Sequence, residues 1–360
     1  MTKVRLAVLG GGHLGRIHTR LLQTHPDVEL VGVVEPLAET RQKIHAEFSV
    51  TTFEHHADLA GRIDGAVVAT TTDAHQQVSR ELLAQGVHLF VEKPLTTSAA
   101  LAEELIRLAQ SRQLVLQVGH VERFNPAWRA AAHHLHRPRF IESVRSSGYT
   151  FRSTDIGVVL DLMIHDLDLV LSIVRSEVVA VDAVGATLFG PHEDLAHAHL
   201  RFANGCVANL NVSRTSFQAQ RSMQVLTDRA YVGIDFAAGK ARVIRPDKQL
   251  VRGKVNIHEL SRDQKEHLKT HLFSELLPLE ELAVEPSNAI QDEQREFVRC
   301  IRLGRAPTVG AEHARDCLTI VERILQCIQQ PQPARLPSIL TPPVWSAAPE
   351  EPSAERRRAG

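Results

Sequence analysis

The stretch VRLAVLGGGHLGRIHTRLL, residues 4–22, decides the fold of the N-terminal part of the chain. The apolar run Val4–Leu9 predicts a buried strand, and helical periodicity from Leu14 predicts that a helix follows it. Three glycines between the two match the pattern GxGxxG: Gly10, Gly12 and Gly15. In a strand–turn–helix context they allow a tight turn, close approach of the backbone to a pyrophosphate, and close packing of helix on strand. We therefore predict a dinucleotide-binding site at this turn.

The next predicted strand, VELVGVVE at residues 28–35, ends in an acid that suits the same ligand. Glu35 follows Gly15 by 20 residues, and a carboxylate there accepts hydrogen bonds from the adenosine ribose and repels a 2′-phosphate. The spacing favours NAD over NADP, although Arg41 in the following helix leaves NADP open. The free N–H groups at the first turn of the helix, at His13 and Leu14, would face the phosphates.

Size and composition narrow the class of protein. The chain has 360 residues, 43% hydrophobic content and a net charge of −1, which argues against an electrostatic nucleic-acid binder. No apolar run approaches the ~20 residues of a membrane span, and no signal peptide is visible. Four cysteines lack CxxC spacing, which predicts reduced thiols in a cytoplasmic protein. The pairs His197/His199 and His267/His271 have no evident third ligand, so no metal site is predicted.

The pattern of predicted strands and helices divides the chain into two parts, which a proline-rich segment follows. Residues 1–122 alternate β-branched runs with helical patterns, which predicts an α/β domain with a doubly wound parallel sheet of the Rossmann type. Residues 123–329 show longer alternating strands and three helices, which predicts an α+β domain on an open, mainly antiparallel sheet, with C-terminal helices that can pack back on the first domain. Residues 330–360 hold seven of the 17 prolines and are expected to be an extended or disordered tail.

A second group of candidate residues follows a buried strand at residues 87–91. Glu92, Lys93 and Pro94 come directly after it, and the carboxyl ends of parallel strands are where such sheets hold ligands. The lysine is predicted to lie at the nicotinamide end of the crevice, across from Glu35. Pro94 is compatible with a sharp turn, including a cis one, that directs the lysine.

The helix predicted over residues 157–174 carries a third group. Asp161 and His165 are four residues apart and share a face, and Asp168 lies three residues further on. Two flanking carboxylates are expected to raise the proton affinity of His165, as general acid–base catalysis requires. The alternative is a surface histidine held in salt bridges.

These motifs together resemble the glucose–fructose oxidoreductase/inositol dehydrogenase (Gfo/Idh/MocA) family, from Val4 to about Gln329. The resemblance rests on the glycine fingerprint, on Glu92-Lys93-Pro94, and on a GxxxDxxxH pattern met by Gly157, Asp161 and His165. It implies a Rossmann domain, an open-sheet domain used to form a homodimer or homotetramer, and pyridine-nucleotide oxidoreduction of sugars or cyclic polyols.

The resemblance also implies roles for single residues. VATTTDAH (Val68–His75) is similar to the segment ATPxxxH beside the nicotinamide ribose, with Thr71 where proline is common. The implied cofactor-binding residues are then Thr70, Thr71, His75, Glu92 and Lys93. Lys93 and His165 would contact the reacting hydroxyl, and Asp161 would position the substrate. His165 is the first choice for the base, with Lys93 stabilising the alkoxide, and the reverse assignment stays open.

The substrate is the least specified part of the resemblance. VGHVERFNPAW (residues 118–128) resembles the nucleotide-sugar branch of the family, particularly UDP-N-acetylglucosamine 3-dehydrogenase-like proteins, and an inositol or free sugar is the alternative. The substrate-binding residues that we expect besides Asp161 and His165 are His120, Arg123, Asn125 and Arg152. A different class is a regulator that binds a dinucleotide without turnover, but such a protein is expected to lose Lys93 or His165.

Overall fold

Two β-sheets organise the chain in the computed structural model, which describes residues 2–150, 156–253, 255–256 and 258–329. Arg152 and the predicted tail at 330–360 lie outside the described residues. No helix among the described residues is both long and apolar enough to span a bilayer.

Sheet A has six strands, all parallel, in the order β3-β2-β1-β4-β5-β6. The strands are β1 (Val4–Leu9), β2 (Val28–Val34), β3 (Thr52–Phe53), β4 (Gly65–Val68), β5 (His88–Glu92) and β6 (Leu116–Gly119). The helices between them are α1 (His13–Gln23), α2 (Ala38–Phe48), α3 (Thr72–Ala84) and α4 (Ala99–Ser111), with a 3₁₀ turn at His56–Leu59. β4 is buried throughout, as a parallel strand covered on both faces requires. The predicted doubly wound sheet is confirmed.

Sheet B has eight strands in the order β14-β13-β12-β11-β7-β10-β9-β8. The strands are β7 (Pro138–Ser146), β8 (Val178–Ala186), β9 (Leu195–Phe202), β10 (Val207–Ser213), β11 (Gln220–Thr227), β12 (Tyr231–Asp235), β13 (Lys240–Ile244) and β14 (Leu279–Glu281). Every pairing is antiparallel except that of β7 with β10. Buried and more exposed residues alternate along β9, as expected of a sheet with one face on the core. The predicted mainly antiparallel sheet is confirmed.

The remaining α-helices of the described residues come after β6 in the chain. They are α5 (Pro126–Ala131), α6 (Ile164–Val174), α7 (Lys248–Val251), α8 (Arg262–Glu275), α9 (Ala289–Leu303) and α10 (Ala311–Gln329). Short 3₁₀ turns lie at Val121–Phe124 and Ala132–His134, and a π-helical turn at Val159–Met163 runs into α6. Beyond the three helices predicted for residues 123–329, the structure adds α5, α7 and α8.

The C-terminal helices complete the core of sheet A. Phe297 on α9 is fully buried with its ring centroid 5.9 Å from that of Phe90 on β5. The Val118 N–H at the edge strand β6 donates to Val309 O at 3.1 Å, and Gln117 forms a β-bridge with Gly310. The chain up to residue 328 forms one compact unit, so the boundary between 122 and 123 stays a prediction.

Candidate active site

The three glycines of the GxGxxG pattern after β1 differ in their packing, since two are packed against the chain and one is open. A Cβ on Gly10, whose φ is +101°, would lie 2.4 Å from Ala69 O, and one on Gly15 would lie 1.9 Å from Gly10 O. A Cβ on Gly12 would meet nothing within 4 Å. The first and third glycines are therefore required by the chain's own packing, whereas the second leaves a free surface on the turn.

The free surface continues into the first turn of α1. Gly12 is its N-cap and supplies no side-chain hydrogen bond, and His13 at the first helical position is exposed while Leu14 is half-buried. The first N–H groups of a helix carry partial positive charge and bind anions. These residues fit the pyrophosphate of a dinucleotide.

The acid at the end of β2 is held by the backbone. Glu35 Oε2 accepts a hydrogen bond from the Gly11 N–H at 2.8 Å, and Oε1 accepts one from the Leu37 N–H at 2.9 Å. The Arg41 guanidinium donates to Glu35 O at 2.7 Å and pairs with Glu54 Oε2 at 3.0 Å. Arg41 is thus engaged with acceptors of the chain, whereas the Glu35 carboxylate lies beside the glycine turn. The arrangement fits NAD better than NADP.

The loop after β4 is tied to the loop after β5 through a buried imidazole. His75 Nδ1 lies 2.8 Å from Pro94 O, and Nε2 lies 3.2 Å from Thr70 O. Burial lowers the pKa of His75, so the neutral ring donates to one carbonyl only. Thr70 is half-buried, and Thr71 is the exposed N-cap of α3. His75 therefore positions the Lys93–Pro94 turn, whose peptide bond is cis.

Glu92 is the buried centre of a network that the sequence did not reveal. His18 Nε2 lies 2.8 Å from Glu92 Oε1, and Gln294 Nε2 lies 2.9 Å from His18 Nδ1. Burial would raise the pKa of Glu92, but the hydrogen bond and charge of His18, with the charge of Lys93, lower it overall. Because His18 and Gln294 stand 276 residues apart, no spacing in the sequence could have indicated this network.

Lys93 joins the two halves of the chain at the candidate site. Its Nζ donates to Asp161 Oδ1 at 2.7 Å and to the main-chain Asp161 O at 2.9 Å. The two side chains are 14% and 20% exposed, so the pair is accessible to a small molecule. Asp161 lies in the π-helical turn before α6. An ammonium that follows a strand of sheet A and a carboxylate of the π-helical turn thus meet at one partly open position.

His165, the second residue of α6, is half-buried, and its Nδ1 has no hydrogen-bond partner among the described residues. Burial lowers the pKa of His165 well below its usual value, and the charges of Lys93 and Arg145 lower it further. The expectation that flanking carboxylates raise its proton affinity was wrong. Asp161 is paired with Lys93 instead, and Asp168 lies 3.4 Å from Arg123 and 3.0 Å from His313.

A buried ion cluster fixes the start of α6. Arg145 on β7 donates through Nη2 to Asp166 Oδ1 at 2.9 Å and through Nη1 to Glu122 Oε1 at 2.9 Å. Desolvation opposes the charge of this guanidinium, but the two carboxylates raise its pKa overall. The bridge links β7, α6 and the turn after β6, and so positions His165. Sequence reasoning missed Arg145 because its partners lie 21 and 23 residues away.

The predicted substrate residues are spread more widely. His120 is fully buried, and burial lowers its pKa. Arg123 contacts Asp168, while Asn125 caps α5 through the Ala127 N–H at 3.0 Å. Among the contacts of the described residues, none joins Arg123 or Asn125 to the Lys93–Asp161 pair, and Arg152 lies outside those residues.

Comparison with known proteins agrees with this fold. Residues 4–120 match a family model described as "Oxidoreductase family, NAD-binding Rossmann fold", and residues 128–232 match the GFO/IDH/MocA C-terminal domain. UDP-N-acetylglucosamine 3-dehydrogenase of Acidithiobacillus ferrooxidans is 37% identical over 66% of this chain and 75% of that protein. Its solved structure superposes with a TM-score of 0.79, at 29% identity, over 91% of this chain and 98% of the other.

A more distant relative has a different substrate in its name. The scyllo-inositol 2-dehydrogenase (NAD⁺) of Bacillus subtilis is 27% identical over 59% of this chain and 68% of that protein. Both relatives are dehydrogenases by name. The chain therefore belongs to the Gfo/Idh/MocA family of oxidoreductases, whose N-terminal domain is an NAD-binding Rossmann fold.

Proposed function

We propose that the protein is an NAD-dependent dehydrogenase that oxidises a secondary alcohol of a nucleotide-linked amino sugar, with C3 of UDP-N-acetylglucosamine as the first candidate. The likeness to the Acidithiobacillus enzyme supports the substrate class. The observation that carries the reaction type is the Lys93–Asp161 contact at 2.7 Å beside an imidazole of lowered pKa. A donor and a base are what oxidation of an alcohol requires.

The side chains divide the work by their protonation. NAD, when bound, supplies the acceptor for the hydride of the carbinol carbon. His165 is neutral at pH 7 because its pKa lies well below the usual value, so its ring accepts the hydroxyl proton. The Lys93 ammonium donates a hydrogen bond to the substrate oxygen and stabilises its developing negative charge. Asp161 orients that ammonium through two of its own oxygens.

The test is turnover with a matched set of substrates. The protein is mixed with NAD and, separately, UDP-N-acetylglucosamine, free N-acetylglucosamine, scyllo-inositol and myo-inositol, and reduced nicotinamide is followed by absorbance. The proposal expects the highest kcat/KM for the UDP sugar. A higher kcat/KM for an inositol would show that the substrate class is a cyclic polyol and not a nucleotide sugar. NAD binding without turnover of any sugar would favour the non-catalytic regulator.

We also propose that the protein assembles as a homo-oligomer in the cytoplasm. Large apolar side chains stay exposed on strands of sheet B, which favours a covered face: Phe140, Val184, Leu195 and Leu226 are 37–47% exposed. Light scattering of the eluting protein measures the mass, and a monomer would contradict the assembly.

The free cysteines suit a reducing compartment: Cys206, Cys300, Cys317 and Cys327.

A further inference from the structure

Three elements bring metal-binding side chains to one buried point. His120 follows β6 directly, Asp168 lies on α6 and Cys317 lies on α10. One ligand atom of each lies within 4.8 Å of the other two, and all three residues are fully buried. We call these three residues the buried triad. Zinc bonds of about 2.0–2.3 Å place tetrahedral ligands about 3–4 Å apart, so small side-chain movements close the set.

The triad contains polar atoms that the described residues do not satisfy. Both ring nitrogens of His120 and Oδ2 of Asp168 lack a hydrogen-bond partner among them. A buried polar atom without a partner costs about 1–3 kcal/mol, and native structures contain few of them. An imidazole and a carboxylate with unpartnered atoms beside a thiol suit a ligand that accepts lone pairs.

The other oxygen of the aspartate is already held by its neighbours. Asp168 Oδ1 lies 3.0 Å from His313 Nε2 and 3.4 Å from Arg123 Nη1. These contacts fix the carboxylate so that Oδ2 stays free, which is how outer contacts orient a metal-binding carboxylate. His313 stands one helical turn before Cys317 on α10, so the helix that supplies the thiol also holds the carboxylate.

The donor set selects the ion. Imidazole nitrogen, carboxylate oxygen and thiolate sulfur suit zinc, whereas magnesium and calcium prefer oxygen ligands alone. Zinc with one carboxylate, one thiolate and one neutral imidazole has no net charge, which limits the cost of burying it. We propose that the buried triad binds a zinc ion that ties the catalytic helix α6 to α10 and to the end of β6.

The ion has a structural task in this proposal. Asp168 lies three residues after His165 on α6. Cys317 lies on α10, in the C-terminal part of the chain. Zinc therefore fixes the helix that carries His165 without touching the Lys93–Asp161 pair. The inference does not depend on which sugar is the substrate.

The experiment measures zinc in the full-length protein purified without a metal-affinity tag. Elemental analysis is expected to find about one zinc per chain. Cys317→Ala should weaken zinc binding by at least ~100-fold, because even outer-shell changes cost about 10–100-fold. Cys300→Ala is the matched control, since it removes another buried thiol outside the triad and should keep the zinc.

Two further readouts separate a ligand from a packing residue. Cobalt exchanged into the protein should give a thiolate charge-transfer band that Cys317→Ala abolishes and Cys300→Ala retains. A chelator should lower the Tm of the parent and of Cys300→Ala, but not that of Cys317→Ala, which has no ion to lose.

Several results would overturn the proposal. One is a chain that takes up no stoichiometric zinc from a zinc buffer. Another is zinc that survives Cys317→Ala but disappears in His271→Ala, because the exposed group His267, His271 and Glu275 also brings three donor atoms within 4.8 Å. Either result would show that the triad does not bind zinc.

Discussion

At the scale of the residue, the chemistry depends on two side chains in opposite electrostatic situations. Lys93 is charged and held against Asp161, whereas burial and neighbouring cations lower the pKa of His165 and keep its ring neutral. An acid and a base of this kind are useful only together, because one stabilises the charge that the other creates.

Removing either group should therefore reduce turnover while the fold persists. Lys93→Ala and His165→Ala are each expected to lower kcat by ~100-fold or more, measured by reduced-nicotinamide absorbance with unchanged far-UV circular dichroism. Lys43→Ala and His55→Ala are controls, since both side chains are exposed on the surface. Full activity of a Lys93 or His165 variant would remove that residue from the mechanism.

The state of His165 also predicts the acid limb of the activity. A base works when deprotonated, so kcat/KM for alcohol oxidation should hold as pH falls to 6.5 and decline only below it. The reason is that burial, then Lys93 and Arg145, lower the pKa well below that of an ordinary histidine. A limb centred above pH 6.5 would exclude His165 as the base. Return of each sample to pH 7.5 checks for irreversible unfolding.

Residue identities were predictable where a local motif carried them. Lys93, Asp161 and His165 each belong to a short pattern, and the structure places the first two in contact. The pKa of His165 was not predictable, because it depends on which partner each carboxylate takes in three dimensions. Asp161 takes Lys93, which lies 68 residues earlier in the chain.

At the scale of the element, the glycine turn separates folding from binding within a few residues. Gly15 packs its α-carbon on the backbone of Gly10, whereas the Cα of Gly12 faces open space. The same one-carbon change should thus have two different effects.

The prediction concerns Gly12→Ala and Gly15→Ala. Gly12→Ala should leave the Tm within ~2 °C of the parent but weaken NAD binding by at least ~10-fold, because its methyl occupies the surface offered to the pyrophosphate. Gly15→Ala should lower the Tm by several degrees, because its Cβ would lie 1.9 Å from Gly10 O. Thermal unfolding and NAD titration measure both. Equal losses of stability in the two variants would contradict the separation.

Strands and helices were predictable where burial is regular. β1 has the predicted bounds, Val4–Leu9, and α6 lies within the helix predicted over residues 157–174. α8 was missed because no residue of it is buried, so no apolar face marks it. The parallel pairing of β7 with β10 was missed as well, because strand partners far apart in sequence leave no local signal.

At the scale of the whole molecule, the helix α9 carries a buried acid whose surroundings include acids of other elements. Glu293 is fully buried with neither carboxylate oxygen bonded among the described residues. Burial raises its pKa well above the usual value, and the negative charge of Glu92 raises it further. The native state therefore binds a proton at Glu293 more tightly than an ordinary glutamate does.

Stability should depend on pH, because the native and unfolded states bind the Glu293 proton with different affinity. A raised native pKa means that the native state binds the proton more tightly, so stability is lost as pH rises above about 4.5. Glu293→Gln is always neutral and escapes this loss. Its Tm relative to the parent should increase between pH 5 and pH 8 by at least ~2 °C, measured by calorimetry. A difference that is constant or falls with pH would show that Glu293 ionises at no cost.

The closure of the molecule was the hardest part to predict, because it joins distant segments. Gln294 reaches His18 across 276 residues, and Phe297 covers Phe90. Each partner alone is an ordinary polar or apolar residue of a helix or strand.

The packing of Phe297 and Val309 on sheet A has a consequence for how the chain folds during translation. When the first 122 residues emerge, Phe90 still lacks its aromatic neighbour, and the outer strand β6 still lacks the residues around Gly310 that border it. The nucleotide-binding half therefore stays unfinished until residues up to about 310 have been synthesised, because only then can Phe297 and the segment around Val309 complete its core.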